Sequence, residues 1–160
     1  MFTFAKKIST MVDALAQIAI GCDHAGFVTK EFLKERLENL GYTFHDFGAF
    51  SDKSMDYPDS AHPVAKAVQD GLFKYGILIC GSGNGMAIVA NKYTGIRAAL
   101  CWNEQITVLS RQHNDANIIA LPARFITPED AVKFAILFLT TKFEGGRHGI
   151  RVEKISNTLR

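Results

Sequence analysis

Cysteine is scarce in this chain and forms no pattern: Cys22, Cys80 and Cys101 are an odd count with no CxxC spacing. That excludes a disulfide framework and a zinc ribbon, and a reducing, cytoplasmic setting is the simplest fit. Excess charge is also lacking, with a formal net charge of +2, so nothing general points to nucleic acid or membrane partners. No window approaches the ~20 apolar residues of a membrane span. Internal repeats and low-complexity tracts are absent. What is present is ordinary: 160 residues, 48% hydrophobic and 21% charged, enough for one domain with a real core.

The first residues, MFTFAKKISTMVDALA, place Lys6 and Lys7 before a partly apolar run, which superficially suggests a signal peptide. Asp13 and Gln17 interrupt that run, and Ile18–Cys22 is needed as a strand. Residues 1–16 therefore read as a short extension outside the core, with Met11 as an alternative start, and residues 17–160 as a single domain.

From there the chain alternates strands and helices. Gln17–Cys22 is an apolar strand, and Phe27–Leu40 is a helix with Phe32, Leu33, Leu37 and Leu40 on one face. Gly41 ends that helix as a left-handed residue would. Tyr42–Phe47 is a second strand, Gly48–Pro58 a polar loop and Ala61–Gln69 a helix. A strand runs into Cys80, a helix follows Gly85, and Ile96–Cys101 is a fourth strand. Asn103–Gln112 is a helix and Asn117–Leu121 a fifth strand. Thr127, Pro128 and Asp130 start the next helix with a hydroxyl cap, a proline and an acid; it runs to about Thr141. A last helix covers Arg151–Leu159. Continuous apolar strands separated by helices predict a sheet covered on both faces. The expected fold is α/β, a three-layer α/β/α Rossmann-like arrangement with a five-stranded parallel sheet.

The chemically unusual stretch is Tyr75–Met86, YGILICGSGNGM. A strand feeding a glycine-rich turn and a helix aims backbone N–H groups at one point, which attracts anions. Cys80 would sit at the lip of that pocket. In such folds ligands bind beyond the carboxyl ends of the strands, and by topology Asp23, His24, Cys80, Cys101, His113, Asn114, Arg124, Arg147, His148 and Arg151 are expected to converge on that one edge.

Each residue also has a plainer reading. A strand-end cysteine is usually a small buried hydrophobe, and Cys22 and Cys101 are read so. For Cys80 the adjoining pocket tips the balance: a helix N-terminus could lower a thiol pKa near 8.5 and make it a workable base or nucleophile. His113 could simply cap its helix. Arg147 and Arg151 could be a solvated face, yet four residues apart on a helix they share a side and, beside Gly145 and Gly146, could clamp a phosphate. The scattered His and Cys residues give no ligand-spaced pair, so no metal is expected.

Five blocks in order, GCDHAG (Gly21–Gly26), ICGSGNG (Ile79–Gly85), Ala90–Ala98, SRQHNDAN (Ser110–Asn117) and EGGRHGIRV (Glu144–Val152), resemble the B-type ribose-5-phosphate isomerases. These belong to a wider phosphosugar isomerase group that includes the galactose-6-phosphate isomerase subunits. The resemblance spans Ile18 to the C-terminus and makes residues 17–160 one phosphosugar isomerase domain.

The resemblance implies a cofactor-free, metal-free aldose–ketose isomerisation through an enediolate, converting ribose 5-phosphate to ribulose 5-phosphate in the pentose phosphate pathway. Cys80 matches the base that moves a proton between carbons 2 and 1. Some members use a glutamate directly after the glycine loop; here that position is Met86. Gly81, Ser82, Gly83, Asn84 and Gly85 match the loop that stabilises the enediolate oxygen, with Ser82 counted as catalytic; an oxyanion donor of this kind is worth roughly 3–4 kcal/mol. His113 matches the ring-opening proton donor and Asn114 a sugar-hydroxyl contact. Asp23 and His24 match the pair that positions the sugar, and Arg124, Arg147 and Arg151 the basic residues around the phosphate, with His148 and Tyr57 as neighbours. The family further implies a homodimer, in some members a tetramer, with each site shared between subunits.

Three alternatives stay open. Another phosphosugar, galactose 6-phosphate or a four-carbon sugar phosphate, would need the same chemistry, with Gly48–Pro58 the natural seat of selectivity. A nucleotide-binding module would use Glu104 as the ribose-binding acid, but Met86 occupies the third glycine position of GxGxxG. A non-catalytic phosphosugar-binding subunit is opposed by the presence of both Cys80 and His113.

Overall fold

The computed structural model describes residues 17–157. The extension at residues 1–16 and the end of the expected last helix at Leu159 lie outside the described residues. Five strands form one sheet: β1 (Ile18–Cys22), β2 (Phe44–Asp46), β3 (Gly76–Cys80), β4 (Ala98–Leu100) and β5 (Ile118–Pro122). The order is β2-β1-β3-β5-β4 and every pairing is parallel. Six helices are described: α1 (Phe27–Glu38), α2 (Pro58–Gln69), α3 (Asn84–Ala90), α4 (Glu104–Gln112), α5 (Pro128–Thr140) and α6 (Arg147–Asn157). A 3-10 turn, His24–Gly26, joins β1 to α1. The fold is the three-layer α/β/α arrangement that the alternation of elements predicts.

The two-residue period of the strands sorts their side chains into two cores. Ile18, Ile20, Ile77, Ile79, Ile119 and Leu121 face α1, α4 and α5, against Leu33, Leu37, Phe134 and Phe138. Ala19, Leu78, Ile118 and Ala120 face α2 and α3, against Val64, Val68 and Met86. Each large side chain fully buried this way contributes about 1.5–3 kcal/mol. On the second face small residues set the spacing: a Cβ on Gly21 or Gly76 would reach 3.0 Å from Val64, so α2 lies directly on β1 and β3.

Helix ends follow local chemistry. Asn103 caps α4 by accepting from the Ile106 N–H at 2.8 Å, and Thr127 caps α5 by accepting from the Asp130 N–H at 3.1 Å. Gly41 has φ +94° and its N–H returns to Glu38, which terminates α1. Two readings from the sequence need correction. Leu40 lies beyond the helix and is 56% exposed, because the chain has already left the helical path that would have turned it inward. The last helix begins at Arg147 rather than Arg151. Gly145 and Gly146 supply the left-handed turn, φ +69° and +55°, and Gly149 is carried inside the helix.

Candidate active site

β1 and β3 are neighbours whose connections leave in opposite directions, since β2 lies beyond β1 and β5 beyond β3. The carboxyl ends at such a switch point form a crevice, and half of the predicted residues gather there. Asp23 follows β1, its N–H bonded to Ile79 O at 3.2 Å, and its carboxylate accepts from Gly26 N–H at 3.1 Å. This cap closes the His24–Gly26 turn against β3. Gly26 is required there, because a Cβ would collide with the Ile79 backbone. His24 Nδ1 accepts from Met55 N–H at 3.2 Å, which ties its ring to the Gly48–Pro58 loop.

Cys80 ends β3, 4% exposed, and the Gly83 N–H donates to its sulfur at 3.2 Å. Gly83 adopts φ +74°, a conformation open to glycine at little cost. That turn folds the loop back over the thiol. The Asn84 N–H donates to Ser82 Oγ at 3.3 Å, so part of the loop's donor set is engaged within the loop. Arg124, just past β5, drapes over the loop: a Cβ on Gly81 would lie 3.0 Å from its Nη1, and the Arg124 N–H donates to Gly81 O at 3.0 Å. Tyr57 leans on Gly85 from the other side. Thiol, glycine loop, acid, histidine and one arginine thus share the carboxyl edge.

The other half does not join them, contrary to the convergence expected from topology. His113 and Asn114 end α4, and a helix in a parallel α/β unit runs back along the sheet, so its carboxyl end lies at the amino edge. The Arg97 Nε donates to Asn114 O at 3.0 Å just before β4, and Asn117, leading into β5, accepts from Gly76 N–H at 2.9 Å. Register sets the separation: Ile118 pairs with Gly76 and Pro122 with Cys80, four steps of ~3.3 Å or about 13 Å along the strands.

This second group is built as a site in its own right. The His113 and His148 rings stack with centroids 4.1 Å apart and planes 7° from parallel. Glu144 approaches His148 Nε2 at 3.5 Å and His113 Nε2 at 4.0 Å. Lost hydration, the stacked His113 ring and nearby Arg147 hold His148 below the usual imidazole range, against the pull of Glu144. Arg151 lines a pocket of about 300 Å³ with His113, Asn114, His148, Val152 and Ile155. Arg147, exposed, stands one turn before Arg151 on α6.

His113, Glu144 and His148 bring three ligand atoms within 4.8 Å of one another, a cluster not counted in the sequence. Its geometry does not suit a metal as it stands. Imidazole lone pairs lie in the ring planes, and two parallel planes 4.1 Å apart give directions that never meet at one ion. Glu144, Met55 and Ser60, whose Oγ donates to Cys22 O at 2.8 Å, were missed as site supports. Only Glu144 carried a signal, its i,i+4 spacing to His148. Cys22 and Cys101 are buried, and burial pushes the Cys22 thiol up to about 11 and raises that of Cys101. Both behave as the core residues they were read to be.

A thiol under a glycine loop at a sheet switch point is the arrangement of an α/β protein with a ligand crevice at the carboxyl edge of its sheet; no helix among the described residues is long and apolar enough to cross a membrane. Residues 18–155 match the family described as Ribose/Galactose Isomerase. Ribose-5-phosphate isomerase B of Escherichia coli (strain K12) is 44% identical over 142 residues, 89% of this chain and 95% of that protein. The D-erythrulose-4-phosphate isomerase of Pectobacterium atrosepticum is 42% identical over 142 residues, 88% of this chain and 93% of that one. The crystal structure of ribose-5-phosphate isomerase B from Mycoplasma genitalium with bound ribulose-5-phosphate superposes with a TM-score of 0.84 at 40% identity, covering 88% of this chain and 94% of that one. The chain belongs to the ribose/galactose isomerase family and is an isomerase of the B type.

Proposed function

We propose that this chain interconverts ribose 5-phosphate and ribulose 5-phosphate in a site assembled from two subunits of a homodimer. One subunit supplies the carboxyl-edge half, Cys80 with the Gly81–Gly85 loop, Asp23, His24 and Arg124. The other supplies the amino-edge half, His113, Asn114, Arg147 and Arg151. The observation that carries this reading is the separation of the two halves: within one chain the sheet stands between them, and neither half has all the groups the reaction needs.

In the joined site His113 gives a proton to the ring oxygen as the C1–O bond breaks and the anomeric hydroxyl releases its own proton, which opens the furanose to the aldehyde while Asn114 holds a hydroxyl. Cys80, as the thiolate, takes the proton from carbon 2 and returns it to carbon 1. The hydroxyl proton moves from O2 to O1, so the sum is a rearrangement without cofactor or metal. Ser82 and the loop N–H groups stabilise the enediolate oxygen. The arginines hold the phosphate, remote from the reacting carbons, and its binding energy orients the sugar. The three free cysteines fit a reducing, cytoplasmic compartment.

Turnover of ribose 5-phosphate by the purified chain tests the reading, with Cys80→Ala as control. A kcat about 10²–10⁴-fold lower in the variant, with sugar-phosphate binding retained, is the expected loss of a proton-transferring group. Near-normal turnover in Cys80→Ala would remove Cys80 as the base. The likeness to a D-erythrulose-4-phosphate isomerase favours a four-carbon sugar phosphate as the second reading. Wild-type turnover of that substrate, without turnover of ribose 5-phosphate, would select it.

A further inference from the structure

The amino-edge cluster holds an acid to which the proposed reaction gives no task. Glu144 stands in the connection from α5 to α6, and that connection is fastened to the end of α4 at two points. The Glu144 N–H donates to Gln112 O at 3.1 Å, and Arg111 Nε donates to Thr141 O at 3.3 Å. Gly145 and Gly146, φ +69° and +55°, then turn the chain so that the His148 N–H reaches Gly145 O at 3.0 Å. Gln112 immediately precedes His113. One backbone contact therefore sets Glu144 against His113, and one tight turn sets it against His148. A single carboxylate oxygen, Oε2, faces both rings, 3.5 Å from His148 Nε2 and 4.0 Å from His113 Nε2.

A half-exposed glutamate four residues before a histidine is ordinarily a surface pair of little consequence. The partners here are different. The two rings are stacked, 4.1 Å between centroids and 7° from parallel, and two imidazolium charges so close repel, so the pair carries one positive charge far more readily than two. Arg147 and Arg151 of α6 oppose even that one on His148, and Glu144 is the carboxylate that favours it. Arg111 of α4 is turned away, toward Asp115 and Tyr75. His148 is only 6% exposed, so water does little to hold its ring or its charge. The orientation of the stack and the proton on it both depend on what faces the two Nε2 atoms, and that is Glu144.

We propose that Glu144 is a positioning residue for ring opening, its carboxylate bracing the stacked His113–His148 pair so that His113 meets the sugar with its proton and in a fixed orientation. This rests on the reading of His113 as the ring-opening acid. Opening breaks the bond from C1 to the ring oxygen and forms C1=O1, while one proton leaves O1 and one arrives on the ring oxygen. His113 gives the arriving proton and the pair takes up the one that O1 releases, so the pair ends in the charge state in which it began. Glu144 touches no reacting atom. It holds the rings and their charge in place, and leaves Arg147 and Arg151 to the phosphate.

Glu144→Gln keeps the shape of the side chain and removes its charge, whereas Glu144→Asp keeps the charge. NMR titration of the imidazole rings in the full-length Glu144→Gln chain should find His148 taking its proton at lower pH than in the wild type, because a carboxylate favours the imidazolium. For ribose 5-phosphate, kcat should fall about 10- to 100-fold with KM within about twofold, as for a group displaced from the reacting geometry with substrate binding intact. The alkaline limb of the kcat profile should move to lower pH, and Glu144→Asp should restore that limb and most of kcat. An unmoved His148 titration, or wild-type kcat in Glu144→Gln, would overturn the proposal. So would a fall in kcat matched by raised KM and lower thermal stability that Glu144→Asp does not relieve, which would make Glu144 part of the scaffold alone. His113→Ala separates this proposal from the reading beneath it. Turnover lost there but normal in Glu144→Gln removes the positioning role only; near-normal turnover in His113→Ala removes the acid assignment and the positioning role together.

Discussion

Lys30 shows what a sequence pattern hides at the scale of a residue. Its place on α1 suggests an outward charge, yet its side chain is fully buried. The ammonium donates to both Asp46 oxygens at 2.8 Å and to Ala49 O at 2.6 Å, with the Phe27 and Phe50 rings nearby. No periodicity could reveal this, because the partners lie 16 and 19 residues away. Burial alone would raise the Asp46 carboxyl, but hydrogen bonds from Lys30 and Lys34 and from Gly48 N–H bring it below its usual value. Lys30 thus pins α1 to the end of β2 and to the start of the loop that reaches His24. Lys30→Ala should cost about 3 kcal/mol, the low end for breaking a buried pair, because Lys34 remains with Asp46. The sign of the acid response follows from the lowered carboxyl. Its stabilisation is present above the ordinary carboxylate value and is lost as pH falls through the folded one. Urea unfolding at pH 7 and in the acid range measures both. A variant as stable as the wild type at pH 7 would show that the buried ammonium contributes nothing.

At the scale of elements the chain was largely legible, and the failures have physical causes. Apolar runs such as Ile77–Ile79 and Ile118–Leu121 announce strands buried on both sides, and Thr127-Pro128 announces a helix start. The last helix was placed late because Gly149, a poor helix former, sits in its first turn directly after the left-handed Gly145 and Gly146. The site was legible as residue types but not as a place. Placing His113 at the carboxyl edge ignored that α4 runs antiparallel to the strands, so its last residue returns to their amino ends. The 3-10 turn at His24–Gly26 supplies a test of how tightly elements position the site. Gly26 lies so near Ile79 that Gly26→Ala must push the turn away from β3, carrying the Asp23 cap and His24 with it. Because a 1 Å displacement at a reacting centre can cost about 10²-fold, kcat/KM for the sugar phosphate should fall by roughly that factor. Thermal unfolding should shift only as for an ordinary overpacking change of about 1–3 kcal/mol. If kcat/KM stayed within twofold of wild type, close approach of turn and strand would be a packing feature alone.

For the whole molecule, the two proposed half-sites stand at opposite ends of the strands, about 13 Å apart along them, and on the proposed shared-site reading a single chain cannot complete the reaction. Association supplies the missing half if the amino-edge cluster of one subunit meets the carboxyl-edge crevice of the next. The exposed apolar residues Ile88 of α3, Trp102 beyond β4, and Ile150 and Ile155 of α6 lie away from the β2 edge and offer the apolar area for such a contact. In a two-fold dimer the same contact occurs twice, so each dimer holds two composite sites. On the proposed roles, Cys80→Ala removes the base from one half and His113→Ala the acid from the other. Each variant alone then forms dimers in which both sites are defective. When the two are unfolded together and reassembled, half of the dimers are mixed. A mixed dimer has one site carrying both defects and one carrying neither. The mixture should therefore recover about a quarter of wild-type turnover, by the statistics of a two-fold assembly. If Cys80 and His113 of one chain served one site, every site in the mixture would still carry a defect and no activity would return. Restored turnover from two inactive variants is thus the signature of a shared site, and its size reports how many sites each dimer holds.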